Sequence, residues 1–122
     1  MRTLGIVQAR MGSTRLPGKS AMKICHMPLL WHVLKRVKQS NVNEVVLALP
    51  QEHGNQCLVE AARLLDIPAV SYTGDPADLI GRYTFVASCF DADTIVRVPA
   101  DNPCVDPDEI NKILGFYKNI GE

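Results

Sequence analysis

Four apolar runs, each followed by a stretch in which apolar residues recur every three or four positions, set the pattern of this chain. Thr3–Gln8 (TLGIVQ) reads as a buried strand. After a glycine-containing loop, Pro28 opens a helix whose Leu29, Leu30, Val33, Leu34 and Val37 keep helical period. Glu44–Leu49 (EVVLAL) is nearly continuous in apolar residues, as a strand covered on both faces would be, and residues 50–54 break it. A second helix is predicted with Leu58, Val59, Ala62 and Leu65 on one face, ended by Pro68. Ala69–Tyr72 is short and strand-like. Gly74, Asp75 and Pro76 form a turn before the stripe Leu79, Ile80, Tyr83, Val86, Ala87, Phe90, which predicts the longest helix of the chain. Thr94–Val98 (TIVRV) is the fourth strand, and the proline-rich PADNPCVDPDE leads into a helix with Ile110, Ile113, Leu114 and Tyr117 inward.

Strand followed by helix, four times over, implies a parallel sheet with right-handed crossovers and helices on both faces. In such sheets ligands bind beyond the carboxyl ends of the strands, where strand order reverses. The segments after the first and fourth strands both start at carboxyl ends, so they are expected to face each other across one site. The chain stops soon after its last helix, without the further strands such a sheet usually adds, so a truncated sheet is expected. Its cut edge would expose unpaired backbone groups and invite self-association into a homodimer.

Composition narrows the function classes. The 122 residues, 47% of them hydrophobic, suffice for one core and one domain spanning 1–122. Thirteen basic residues balance thirteen acidic ones, so no global field attracts nucleic acid or an anionic membrane, and an anion site must come from local clustering. No apolar stretch reaches the roughly 20 residues that span a bilayer. The four cysteines lack CxxC spacing, the three histidines do not combine with them at zinc-ligand spacings, and the amino terminus lacks a signal-like run, so a reduced, cytoplasmic protein without a zinc site is expected.

The local cluster is QARMGSTRLPGK, Gln8 to Lys19, where Arg10, Arg15 and Lys19 share one loop with Gly12 and Gly18 and no acid. Glycine lets the backbone turn so that the Gly12-Ser13 amides address phosphate oxygens, while the arginines grip two oxygens each. The pattern is neither GxxxxGK[ST] nor GxGxxG, which disfavours a P-loop ATPase and a dinucleotide site. A polyphosphate held this way needs a divalent cation, and Mg²⁺ takes one or two carboxylates; Asp101, after the fourth strand, is the natural ligand. Asp106, Asp108 and Glu109 sit at a helix start, where capping and dipole compensation account for them. The alternatives are an ordinary Gly- and Arg-bearing surface loop and, for Asp101, an Asx turn ahead of Pro103.

At these two loops the sequence resembles the sugar nucleotidyltransferases, and among them the cytidylyltransferases that activate acidic sugars, such as acylneuraminate and 3-deoxy-manno-octulosonate cytidylyltransferases. ARMGSTRLPGK is similar to the ARxGSxRLPGK signature of the spore coat polysaccharide biosynthesis protein F group, PLLWHVLKRVKQS to its following helix, and VRVPADNPCVDPDEI to its strand and metal-binding aspartate. The chain departs from the usual pattern at Gly81 (aspartate), Ala100 (glycine) and CHMPLL (a Gly-Lys-Pro turn).

The resemblance implies a three-layer α/β/α, Rossmann-like nucleotide-diphospho-sugar transferase sheet, CTP and a sugar as substrates, and Mg²⁺. Carried onto this chain, Ala9, Arg10, Gly12, Ser13, Arg15, Lys19 and Arg82 would bind the nucleotide, Lys19 and Arg15 would assist catalysis, and Asp101 would hold the metal. It implies surface polysaccharide or spore coat synthesis as the setting. Family members carry a second half that contributes most of the sugar site, so a non-catalytic nucleotide-binding remnant or partner subunit, or a transferase using another nucleotide, stands as the alternative.

Overall fold

The computed structural model describes residues 2–9, 22–51, 54–72, 79–100 and 104–120. Its main sheet has four strands, β1 (Thr3–Gln8), β4 (Glu44–Pro50), β5 (Ala69–Tyr72) and β6 (Thr94–Pro99), in the order β5-β4-β1-β6 and all parallel. The helices are α1 (Leu29–Lys38), α2 (Gln56–Arg63), α3 (Leu79–Cys89) and α4 (Pro107–Ile120). Two short strands, β2 (Lys23–Ile24) and β3 (Met27–Pro28), form an antiparallel hairpin just ahead of α1.

Strand periodicity sorts the core onto two faces. From β1, Leu4 and Ile6 turn to one side, joining Val46, Ala48, Tyr72 and Val86 in a cluster under α3. Val7 turns to the other side and joins Leu30, Val33, Leu34 and Val37 of α1, Leu58 and Ala62 of α2, and Ile110 and Leu114 of α4. The sheet therefore carries three helices on one face and one on the other, the three-layer α/β/α arrangement expected. Gly5 lies beneath α1: a Cβ built there would stand 3.1 Å from Val37 Cγ1.

Polar contacts hold the layers in place. The Arg2 guanidinium donates to Glu44 Oε2 at 2.7 Å and to the Phe90 carbonyl at 2.9 Å, tying the start of β1 to β4 and to the end of α3. Beside α1, Arg36 donates to the Val105 carbonyl, Lys38 to the Leu65 carbonyl, and the Asn41 amide to Asn111 Oδ1. Asp106 caps α4: its Oδ1 accepts the Asp108 amide at 2.9 Å, and Pro107 takes the first helical position, as the sequence suggested for this acidic group.

Several expectations are corrected. The longest described helix is α4, with 14 residues against 11 for α3. Val59 is 40% exposed, because α2 turns Leu58, Ala61 and Ala62 inward and ends at Arg63, short of Leu65. Ile113 and Tyr117 are exposed, as is Ile80; among the described residues of α4, Ile110 and Leu114 reach the core. The β2–β3 hairpin was not read from the sequence. Cys25 and His26 supply its turn with φ of 52° and 70°, and His32 Nε2 donates to the Ile24 carbonyl at 2.6 Å. Two consecutive positive φ values define the type I′ geometry usually given to Asn-Gly.

Candidate nucleotide-binding site

After β1 the chain moves outward to β4 and then β5, and β6 returns to the other side of β1. Strand order thus reverses between β1 and β6, and their last residues, Gln8 and Pro99, are register partners. This is the switch point at which open parallel sheets take ligands. Immediately beyond it, Ala9 and Ala100 are both buried and belong to the same apolar cluster.

Arg10, Gly12, Ser13, Arg15, Lys19 and Asp101 lie outside the described residues. Two residues of the expected nucleotide set are described, Ala9 and Arg82. The Ala9 amide donates to the Ala48 carbonyl at 3.2 Å, extending the β1–β4 ladder by one rung. That N–H is spent on the sheet, and Ala9 can offer a ligand only its carbonyl.

Arg82 stands in the first turn of α3, and its Nη1 donates to the Tyr72 hydroxyl at 2.7 Å. Its guanidinium carbon lies 4.9 Å from the centre of the Tyr72 ring, within cation–π range. The same hydroxyl accepts a hydrogen bond from Gln8 Nε2 at 3.3 Å, and Gln8 Oε1 accepts one from the Tyr83 hydroxyl at 2.7 Å. Gln8 ends β1 and Tyr72 ends β5, so the network sits at the carboxyl ends of the strands, on the α3 face. Gln8 and Tyr72 were not singled out from the sequence, and Tyr83 was read only as part of an apolar stripe. The one available signal was a glutamine closing an otherwise apolar strand.

Among the described residues no three of His, Cys, Asp and Glu gather as a metal site. The four cysteines are exposed free thiols. No helix of the described residues is long and apolar enough to cross a membrane.

The sequence profile of the cytidylyltransferases matches residues 4–122. The chain belongs to the cytidylyltransferase family. As a cytidylyltransferase relative it is 32% identical over 119 residues to the 3-deoxy-manno-octulosonate cytidylyltransferase of Acidobacterium capsulatum, covering 97% of this chain and 47% of that protein. The solved cytidylyltransferase of Leptospira borgpetersenii superposes with a TM-score of 0.87 at 32% identity, over 98% of this chain and 50% of the other.

Two further solved structures share the cytidylyltransferase fold at 24% identity. CMP:2-keto-3-deoxy-manno-octonic acid synthetase complexed with CTP has a TM-score of 0.85 and covers 99% of this chain and 49% of its own; Rv0371c of Mycobacterium tuberculosis in complex with manganese has 0.68, with 94% and 59%. The chain spans about half the length of the relatives it matches. The kinship inferred from the motifs at the ends of the first and fourth strands therefore extends along nearly the whole sequence.

Proposed function

We propose that this chain is the nucleotide-binding half of an enzyme that transfers CMP from CTP to a hydroxyl of an acidic sugar, with release of pyrophosphate. The observation that carries the reading is the β1–β6 switch point: in a cytidylyltransferase-family chain, the segments bearing the basic motif and Asp101 leave adjacent, paired strand ends. In the reaction the sugar oxygen bonds to the α-phosphorus, the bond to the bridging α–β oxygen breaks, and pyrophosphate takes the electron pair. The protein's part is to hold donor and acceptor in line and to offset charge on the phosphate oxygens.

Arg10, Arg15 and Lys19, with the amides of Gly12 and Ser13, bind and orient the triphosphate, Arg82 adds a cation from the α3 side, and Lys19 and Arg15 act at the transferring phosphorus. Asp101 supplies one carboxylate oxygen of the hard kind that Mg²⁺ prefers, and when bound the ion neutralises phosphate charge. The setting we assign is cytoplasmic synthesis of a surface polysaccharide such as a spore coat, by a homodimer.

The alternative reading is a nucleotide-binding remnant or partner subunit that releases no pyrophosphate. Thermal unfolding with Mg²⁺ and CTP, UTP, GTP or ATP tests both. A ligand at about 100 times its Kd adds roughly 2.7 kcal/mol, several degrees for a small domain. CTP should raise the midpoint, and Asp101→Asn and Lys19→Ala should abolish the shift. Pyrophosphate release on adding sugar, measured with a second half of the relatives' kind supplied, separates the enzyme from the remnant. A cooperatively unfolding sample that no nucleotide stabilises would overturn both readings.

A further inference from the structure

We infer that Tyr72 and Gln8 are positioning residues that preset the Arg82 guanidinium for an anionic group of the nucleotide. The inference rests on the nucleotide-binding reading above. It begins from the surroundings of Arg82 in the first turn of α3. Among the described residues Tyr72 meets it twice: the ring lies under the guanidinium at 4.9 Å and the hydroxyl accepts from Nη1 at 2.7 Å. A face contact and an edge contact together fix both the position and the plane of the guanidinium.

The hydroxyl is itself fixed. Tyr72 is buried, and its oxygen also accepts from Gln8 Nε2, whose amide is oriented because Oε1 accepts from the Tyr83 hydroxyl. The polarity is consistent along the chain of bonds: Tyr83 donates to Gln8, Gln8 donates to Tyr72, and Arg82 donates to Tyr72. The phenol's two lone pairs are used as acceptors, and its hydrogen is left to donate. Gln8 is also the residue from which the chain departs into the basic motif. One polar network therefore joins the root of that motif to the one described cation of the expected nucleotide set.

Arginine has a long, rotamer-rich side chain. A guanidinium already set in place loses less freedom when an oxyanion arrives, and that saving appears as affinity.

The test is a double-mutant cycle read by calorimetric CTP binding to this chain with Mg²⁺ present. Tyr72→Phe keeps the ring and removes the hydroxyl. It should weaken CTP binding about tenfold in the parent chain and less than about twofold in an Arg82→Ala background. Gln8→Leu, which removes one of the two bonds to the hydroxyl, should cost about threefold and show the same dependence on Arg82. Equal losses in the two backgrounds would overturn the inference, because Tyr72 would then act on the nucleotide or the fold without Arg82. Unaltered affinity in both single variants would overturn it too. A parent chain that binds no nucleotide removes the nucleotide reading itself, a result distinct from either.

Discussion

Replacing Gly5 by alanine tests how closely α1 is seated on the sheet. The added methyl would stand 3.1 Å from Val37 Cγ1, 3.5 Å from Val42 Cγ2 and 3.7 Å from the Glu44 carbonyl. Carbon pairs prefer about 3.5–4.0 Å, so only the Val37 contact is too close. Valine in a helix keeps essentially one rotamer, so Val37 cannot swing aside and α1 must shift by a few tenths of an ångström.

Overpacking of this kind costs about 1–3 kcal/mol, while replacing glycine in a strand returns about 0.5–1 kcal/mol of chain entropy. The net loss should be about 1 kcal/mol, or about 4 °C in midpoint for a chain of this size. Val37→Ala removes the obstructing methyls, and in that background Gly5→Ala should become neutral or stabilising by about 0.5 kcal/mol. Urea unfolding of the four proteins then gives a coupling of about 1.5 kcal/mol, well above the roughly 0.5 kcal/mol within which independent sites add. If Gly5→Ala costs the same in both backgrounds, the Val37 contact is not why glycine stands there.

Asp106→Ala should lower stability by about 1 kcal/mol through loss of the α4 cap, while Asp106→Asn, which retains an accepting oxygen, should cost less than half of that; urea unfolding distinguishes them. Glu60 and Arg63 form an exposed ion pair on α2, and the hydrogen bond from Arg63 lowers the Glu60 carboxyl below its ordinary value of 4.5. The pair's contribution is therefore present above pH 4.5 and lost as pH falls through the lowered native value. Because both groups face solvent, Glu60→Gln should leave the midpoint at neutral pH unchanged within the precision of a urea titration; a clear fall would mean that the pair is worth more than exposed pairs are.

β1 and β4 were legible because they are covered on both faces, and burial on both faces leaves an apolar run that needs no neighbour to be read, whereas β5 and β6 are only partly buried. Thr3–Gln8 was met without change, and Glu44–Pro50 and Thr94–Pro99 exceeded the expected ends by one proline. Helical faces were harder. Val59, Ile113 and Tyr117 all fit a 3.6-residue period, yet how wide a stripe is covered depends on what lies beside the helix, and the sequence does not contain that. The Cys25-His26 turn escaped notice because neither residue ordinarily marks a left-handed pair. At the candidate site, the basic motif could be recognised as a contiguous string of letters. The Gln8–Tyr72 and Gln8–Tyr83 bonds join positions 64 and 75 residues apart, and no local pattern encodes them.

The strand order has a mechanical consequence. Among the described residues β6 has a single neighbour in the sheet, β1, although nearly 90 residues of chain separate the two. A strand held on one side only is the part of a sheet that peels away at least cost. The nucleotide site proposed above lies at the top of that same seam. A nucleotide gripping the segments that leave both strands would act as a clasp across it, so occupancy and the local opening of β6 would oppose each other.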